Sequence, residues 1–282
     1  MGRRGLSAKT IKIRNAIADV LSAEHPMTLR QVYYQLVSCQ VVPNSLRSYQ
    51  AVGRSLVDMR KAGEVPWEWV EDRLRRPRQV GMWADVADFA DTAVRAYRRD
   101  VWADQDELVE AWVEKDALSG IFEDVLRPYG VTLNVGRGYD GWDSVHNAAE
   151  RYLSEKPVTV LYFGDFDPTG VDISRSLAER LAFFESRPTL VRVALNKDDV
   201  ERYQLPFDFG KASDSRHARF VARFGDMAVE LDALPVGVLR ERIRSEVESR
   251  MDLAALARIR DLEEGERAAI AAALKHLGEQ EG

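Results

Sequence analysis

Residues 158–170 read VTVLYFGDFDPTG and indicate the fold class of this chain. The first six residues form a run without charges, which is typical of a strand buried on both faces of a parallel sheet. Asp165 and Asp167 follow the run. Because side chains at i and i+2 of extended backbone point the same way, the two carboxylates can converge. They would lie at the carboxyl end of a strand, where open α/β sheets bind their ligands.

The same alternation of strands and helices continues on both sides of this segment. It predicts strands at 108–113, 131–135, 158–163 and 190–195, and helices at 83–99, 117–127, 143–153 and 170–184. Strands separated by helices favour an α/β fold with a mostly parallel sheet flanked by helices. Residues 197–282 are expected to be mostly helical, so that we assign residues 81–282 to one domain with a helical C-terminal region.

Residues 1–80 have a different pattern, which predicts a separate N-terminal domain. Helices are expected at 7–23, from Thr28 onward and at 46–62, followed by a short edge strand at 65–70. This is the plan of a winged helix-turn-helix, in which the third helix enters the DNA major groove. A plain three-helix bundle has the same periodicity and is the alternative.

Charge is distributed unevenly between these two regions. The chain has a net charge of −6, yet residues 1–80 have an excess of basic residues and residues 81–282 an excess of acidic ones. A basic region attracts a polyanion and an acidic one holds divalent cations, although clusters of solvated charge also occur by chance. The cationic residues of the third helix are predicted to bind DNA: Arg47, Arg54, Arg60 and Lys61.

Composition excludes several classes of protein. Hydrophobic residues make up 45% and charged residues 30%, as in an ordinary globular protein. No apolar run is long enough for a membrane helix, and the basic start of the chain is not followed by the apolar core of a signal peptide. One cysteine and four scattered histidines do not form a zinc cage. We therefore expect a cytoplasmic protein that does not contact membranes.

A second acidic residue follows a neighbouring predicted strand. Glu114 comes directly after the strand at 108–113, and a parallel sheet would bring it towards Asp165 and Asp167. Three carboxylates suit Mg²⁺, which binds a few carboxylates and keeps several waters. The alternative is that these acids cap helices or favour helix N-termini electrostatically. Between the strands, the glycines that flank Arg137 would let the backbone approach a phosphate.

The basic region adds a candidate nucleophile. Its sequence from Thr28 includes Arg30, Tyr33 and Tyr34. A phenol is a weak nucleophile unless its proton is removed and the developing charge is stabilised, which the nearby Arg30 can assist. Packing is the commoner role of two tyrosines on an amphipathic helix.

Together these motifs resemble the A subunit of topoisomerase VI and its relative, the meiotic double-strand-break transesterase. The family pattern R-x-x-Y-Y matches Arg30, Tyr33 and Tyr34, and a glutamate before a lysine matches Glu114. Its G-[KR]-G-Y segment matches residues 136–139, and its D-x-D-P-x-G matches Asp165–Gly170. A fainter likeness extends to residues 230–234, which read ELDAL.

The resemblance implies a fold, a reaction and partners. It implies a winged-helix domain at 1–80 that carries the catalytic Tyr34, and a Toprim domain at 81–282 in which Glu114, Asp165 and Asp167 bind Mg²⁺. Tyr34 would attack double-stranded DNA and form a 5′-phosphotyrosyl link, with Arg30 and Arg137 positioning the phosphate. It also implies a homodimer in which the tyrosine of one protomer completes the other protomer's site, and a separate ATPase B-type subunit.

Two other functions fit the residues. The first is a hydrolytic Toprim nuclease, in which a metal activates water and the tyrosine is structural. The second is a DNA-binding component of a larger complex without catalysis. Converging carboxylates with no cation between them would repel one another, which argues against the second.

Overall fold

The computed structural model describes residues 6–70, 80–136, 141–207 and 214–279 of an α/β protein. Its sheet has four parallel strands in the order β2-β1-β3-β4. The strands are β1 Leu108–Val113, β2 Thr132–Val135, β3 Val158–Phe163 and β4 Thr189–Ala194. The helices of the described residues are α1 Ala8–Ala23, α2 Leu29–Ser38, α3 Leu46–Lys61, α4 Val86–Ala96, α5 Ser119–Leu126, α6 Trp142–Tyr152, α7 Pro168–Phe183, α8 Lys197–Arg202, α9 His217–Phe224, α10 Val236–Glu248 and α11 Leu253–Glu279.

The predicted parallel sheet flanked by helices is confirmed. Strand β3 is buried along its whole length, as its apolar run indicates. Alternate residues of β1 and β3 pack on opposite faces. One face meets α6 and α7, and the other face meets α5, α10 and the N-terminal helices. The register pairs Val113 with Phe163 at the ends of the two central strands. The residues that follow them, Glu114 and Gly164, are therefore neighbours.

The three predicted N-terminal helices are confirmed as α1, α2 and α3. Each begins at the hydroxyl residue that caps it, and the Thr28 cap is reinforced by Gln31 in a capping box. The predicted edge strand at 65–70 is wrong. Residues Trp67–Trp69 form a short 3-10 helix, and Val70 makes an isolated bridge to Met27. Arg60 of α3 holds this segment by lying over the Trp67 ring, 4.1 Å from its centre.

The N-terminal helices share one hydrophobic core with the sheet. Buried residues of α1, α2 and α3 belong to the same cluster as β1, β3 and α10. Helix α2 packs against the 3-10 helix Leu231–Ala233, and the Glu24 carboxylate accepts a hydrogen bond of 3.1 Å from the backbone of Gly237. The chain therefore fixes α2 against residues that come about 200 positions later in its own sequence.

None of the helices in the described parts of the chain combines the length and the hydropathy that crossing a membrane requires.

Candidate active site

The ends of β1 and β3 bring two of the predicted site residues together. The Glu114 backbone N–H donates to Phe163 O at 2.9 Å, and the Glu114 carboxylate accepts from the Asp165 backbone N–H at 3.0 Å. Gly164 lies between them, and a Cβ there would be 2.5 Å from Glu114 Oε2. A side chain at position 164 would therefore push Glu114 away from Asp165.

Asp167 turns the chain into α7 as its cap. Its Oδ1 accepts from the Gly170 backbone N–H at 2.6 Å, so the capping interpretation of this residue is confirmed. The turn is tight, because a Cβ at Gly170 would lie 2.2 Å from Asp165 O. Arg192 of β4 donates to the carbonyl oxygens of Gly164, Asp165 and Gly170. This guanidinium fixes the loop that carries both aspartates.

Lys115 lies inside the acidic site, although its sequence context did not distinguish it from a solvated surface charge. Its Nζ is 2.8 Å from Asp165 Oδ1 and 3.0 Å from both Glu230 Oε2 and Asp232 Oδ2. Asp232 is 1% exposed. The two acids of the ELDAL segment were the only signal for this arrangement, because acids at i and i+2 can face one partner.

Glu230 connects this cluster to the tyrosine helix. Its carboxylate accepts from Arg30 Nε at 2.6 Å and also bonds Lys115. The Tyr34 phenol lies near the same carboxylate, whose charge helps to raise the pKa of Tyr34, and Tyr34 is 7% exposed. Arg30, Glu230, Lys115 and Asp165 therefore form one continuous network, and the phenol of Tyr34 lies near its Glu230 carboxylate.

Burial and charge shift the acid–base properties of this network. Burial and the Glu230 carboxylate raise the pKa of Tyr34 well above its usual value. Burial alone would lower the pKa of Lys115, but Asp232, Asp165 and Glu230 outweigh it and raise that pKa. The pKa of Glu230 is lowered because Lys115 and Arg30 outweigh its own desolvation. At neutral pH the network therefore holds a neutral phenol beside an ionised carboxylate and two cations.

The two adjacent tyrosines have different surroundings. The Tyr33 hydroxyl donates to Asn44 Oδ1 at 2.8 Å and accepts from the Ser45 backbone N–H at 2.7 Å, so it joins α2 to the start of α3. Tyr34 instead lies near Glu230, and both tyrosines line a cavity of about 350 Å³. The lining of this cavity is Arg30, Tyr33, Tyr34, Asn44, Ser45, Leu46 and Tyr49. The cavity gives a ligand access to the Tyr34 side of the network.

The predicted DNA-binding residues are separated by the structure. Arg47, Arg54 and Lys61 are exposed on α3 at intervals of seven residues, which places them along one side of the helix. Arg60 is half-buried, and its guanidinium donates to Trp67 O at 2.9 Å. Arg137 lies outside the described residues. An exposed row of three cations remains available to a polyanion.

A Mg²⁺ site requires several oxygen ligands around one point. No three histidine, cysteine or acidic side chains within the described ranges are already arranged as a metal centre. Two observations nevertheless fit a cation. The Lys115 ammonium already lies against Asp165, and Asp232 Oδ1 is buried without a hydrogen-bond partner among the described residues. Carboxylate oxygens are the ligands that Mg²⁺ takes, but Asp232 is not one of the predicted ligands, and a Mg²⁺ at Asp165 would have to displace the Lys115 ammonium.

No family model matches the chain, and comparison with curated proteins finds no significant match.

The close approach of Glu114 and Asp165 predicts that the free energy of unfolding depends on pH. Burial and the negative charge of Asp165 raise the pKa of Glu114 from 4.5 to about 7. Between these values the folded state holds a proton that the unfolded chain releases, so wild-type stability falls as pH rises. Glu114→Gln does not ionise and keeps the acceptor for Asp165. We expect the free energy of unfolding of Glu114→Gln, measured in urea, to exceed that of wild type by an amount that grows to as much as about 3 kcal/mol at pH 8.

This comparison needs a metal-free buffer, because a bound cation would relieve the same repulsion. At pH 4 the variant and wild type should unfold at similar urea concentrations. A gain that is the same at pH 4 and pH 8 would contradict the raised pKa of Glu114.

Proposed function

We propose that this protein cleaves DNA by tyrosine transesterification, in the manner of the topoisomerase VI A subunit. In this proposal residues 1–80 form a winged-helix DNA-binding domain and residues 81–282 a Toprim domain. The observation that carries it is the chain of contacts that runs from Arg30, on the helix that carries Tyr34, through Glu230 and Lys115 to Asp165 at the carboxyl edge of the sheet. A phenol, two cations and several carboxylates in one part of the fold are the groups that phosphoryl transfer to a tyrosine needs, and Tyr34 and Arg30 also line a cavity.

The reaction exchanges one phosphoester bond for another. The Tyr34 oxygen forms a bond to phosphorus, and the bond from phosphorus to the 3′ oxygen breaks. The proposed acceptor of the phenol proton is the Glu230 carboxylate. The 3′ oxygen takes a proton from water, and Glu230 returns its proton to the hydroxide that remains, so that no net proton is gained or lost. The products are a 5′-phosphotyrosyl link and a free 3′-hydroxyl. Arg30 and Lys115 stabilise negative charge on the phosphate and on the phenolate as it develops.

The proposed cofactor is Mg²⁺ held by Glu114, Asp165 and Asp167. A bound Mg²⁺ supplies Lewis-acid neutralisation of the phosphate charge. Asp165 contributes its carboxylate only when Lys115 shifts from it, which frees the ammonium to contact a phosphate. Arg47, Arg54 and Lys61 would hold the DNA backbone beside the cavity, because phosphate contacts position a duplex without reading its sequence.

The burial of Tyr34 favours one alternative, a hydrolytic Toprim nuclease. In that case the phenol is structural, its high pKa is a consequence of packing, and water is the nucleophile. The two functions leave different DNA ends. Hydrolysis gives free 5′-phosphates, whereas transesterification leaves the protein on the 5′ end.

The test is incubation with supercoiled plasmid and Mg²⁺, followed by a detergent quench and separation of free from protein-bound DNA. We expect broken DNA to partition with the protein until protease is added, with free 3′-hydroxyls and blocked 5′ ends. Chelation of the metal should abolish breakage. Free 5′-phosphates at every break would favour the nuclease. Intact plasmid under all metal conditions would overturn both.

A further inference from the structure

We propose that helix α9 and the cavity beside it bind the phosphate backbone of DNA next to the predicted metal ligands. This inference rests on the proposed function and deepens it, because it adds a second group of DNA contacts to those expected on α3. It does not depend on which protomer supplies the tyrosine. The ligand is a phosphodiester with its deoxyribose, and contacts of this kind read no base sequence.

The cavity lies between α7 and α9 and has a volume of about 420 Å³. Its lining is apolar in part and includes Val171, Leu190 and Phe220. Four arginines also line it: Arg175, Arg216, Arg219 and Arg223. A cavity of this size takes a small molecule or one part of a larger one. Its lining suits a group that combines negative charge with apolar surface, as a phosphate and its deoxyribose do.

Two of the four arginines are available to a ligand. Arg175 and Arg216 already pair with Asp172, at 2.7 and 3.4 Å. Arg219 and Arg223 are exposed, and no ion pair within the parts of the chain that the structure describes includes either of them. They are four positions apart on α9 and therefore lie on one side of the helix. Guanidinium groups so placed fit phosphate oxygens, which accept paired hydrogen bonds from arginine.

The charge of α9 is opposite to that of its surroundings in the sequence. Residues 81–282 have an excess of acidic residues, yet α9 reads HARFVARF and contains neither aspartate nor glutamate. Solvated surface charge in this region is on average negative, so chance does not favour a helix with only basic charges. A local basic surface of this kind is the electrostatic feature of a nucleic-acid contact.

Helix α9 is fixed to the loop that carries two of the predicted metal ligands. Phe166 lies between the two aspartates of that loop, and its ring is 5.2 Å from the ring of Phe220 and 5.3 Å from that of Phe224. Arg216, directly before α9, donates to Thr169 Oγ1 of the same turn at 3.1 Å. A DNA strand with one phosphate at the carboxylates would therefore have neighbouring phosphates within reach of α9.

An acidic segment of another protein is the other occupant that fits these groups, since it also combines negative charge with apolar side chains. DNA is favoured by the position of the cavity. Pro168, which directly follows the predicted ligand Asp167, is part of its lining. The exposed row of Arg47, Arg54 and Lys61 on α3 offers the same polyanion a second contact. An acidic protein segment would need neither feature.

The first test measures DNA binding without cleavage. Binding of a fluorescent duplex to Arg219→Gln/Arg223→Gln is followed by anisotropy over a series of salt concentrations, with a chelator present. Each phosphate contact contributes about 0.9 to the slope of log K against log salt, so the slope should become shallower by about 1.8. Affinity at about 0.1 M salt should fall at least about tenfold, and equally for two duplexes of unrelated sequence.

The matched control is Arg244→Gln/Arg258→Gln. It removes the same charge from exposed positions on α10 and α11 that do not line the cavity. We expect its salt slope to stay close to that of wild type. Equal slopes for the two double variants would overturn the inference.

The second test uses the wild-type chain and so does not depend on the folding of a variant. Phenylglyoxal modifies accessible guanidinium groups, and peptide mass spectrometry measures the modification at each position. When the duplex is bound, we expect modification of Arg219 and Arg223 to fall several-fold, and that of Arg244 and Arg258 to stay the same. Unchanged modification of α9 in the bound protein would also overturn the inference.

These measurements separate the inference from the proposed function. If the salt slope changes as expected but wild type never attaches to DNA, α9 binds DNA and the proposed reaction fails. If wild type attaches to DNA and the two double variants bind alike, the reaction stands and the inference fails. A wild type that binds no duplex at all would overturn the inference and favour an acidic protein segment as the occupant of the cavity.

Discussion

Tyr34→Phe forms no covalent adduct with DNA, and Tyr33→Phe forms it at close to the wild-type level: this is the first expected result. The substitution at Tyr34 removes only the attacking oxygen, so adduct formation should fall by at least about a thousandfold, as when other enzymes lose their nucleophile. The hydroxyl of Tyr33 is held by Asn44 and Ser45 at the start of α3. The measurement is the fraction of plasmid retained with protein after the detergent quench.

The free energy of unfolding should fall more for Tyr33→Phe than for Tyr34→Phe, the opposite of the order expected for adduct formation. Each variant is therefore a control for the other. Tyr33→Phe leaves the Ser45 N–H and Asn44 Oδ1 without their buried partner, at a cost of about 1–3 kcal/mol. Tyr34→Phe leaves Glu230 with Arg30 and Lys115, so urea unfolding should change little. Equal attachment by both variants would contradict the assignment of Tyr34 as the nucleophile.

The largest expected loss of stability comes from Lys115→Met. The substitution removes the ammonium from a site where it contacts Asp165, Asp232 and Glu230, of which Asp232 is fully buried. Removing one partner of a buried charge network costs about 3–5 kcal/mol, because the remaining charges are left desolvated. Urea unfolding at pH 7.5 in metal-free buffer measures the cost.

The pH dependence of this loss follows from the same charges. The pKa of Lys115 is raised, so wild type keeps the ammonium, and its contribution to stability, across the neutral range and loses it only in strong base. In Lys115→Met the carboxylates are protonated as pH falls, and the penalty should therefore shrink towards pH 4. Lys197→Met is the control, because Lys197 is exposed and its ion pair with Glu201 is long, at 3.6 Å. Equal losses for the two variants would contradict the buried network.

The local pattern was sufficient to predict the central strands. Predicted strands at 108–113 and 158–163 coincide with β1 and β3, because a short run that is apolar apart from Glu110 and Thr159, bounded by charged, proline or glycine residues, has few alternatives. The segment 65–70 was misjudged for the converse reason. Its alternating tryptophans imitate a strand, but Arg60 lies on Trp67 from a neighbouring helix, and a one-dimensional pattern does not contain that contact.

The candidate site was also predictable only in part. The convergence of Glu114 and Asp165 follows from parallel strands, so it was predictable from the order of elements. The position of Lys115 was not, because its partners Glu230 and Asp232 come more than 100 residues later and reach it only through tertiary packing. The same holds for the proximity of Tyr34 and Glu230.

The burial of Tyr34 affects its reactivity in the protein without DNA. An ordinary tyrosine is already almost fully protonated in a cell, and the raised pKa of Tyr34 makes its reactive phenolate scarcer still while no nucleic acid is present. Under the proposed function, the low reactivity of Tyr34 in the protein without DNA would then limit accidental DNA breakage. Such an enzyme would need no separate inhibitor between cleavage reactions.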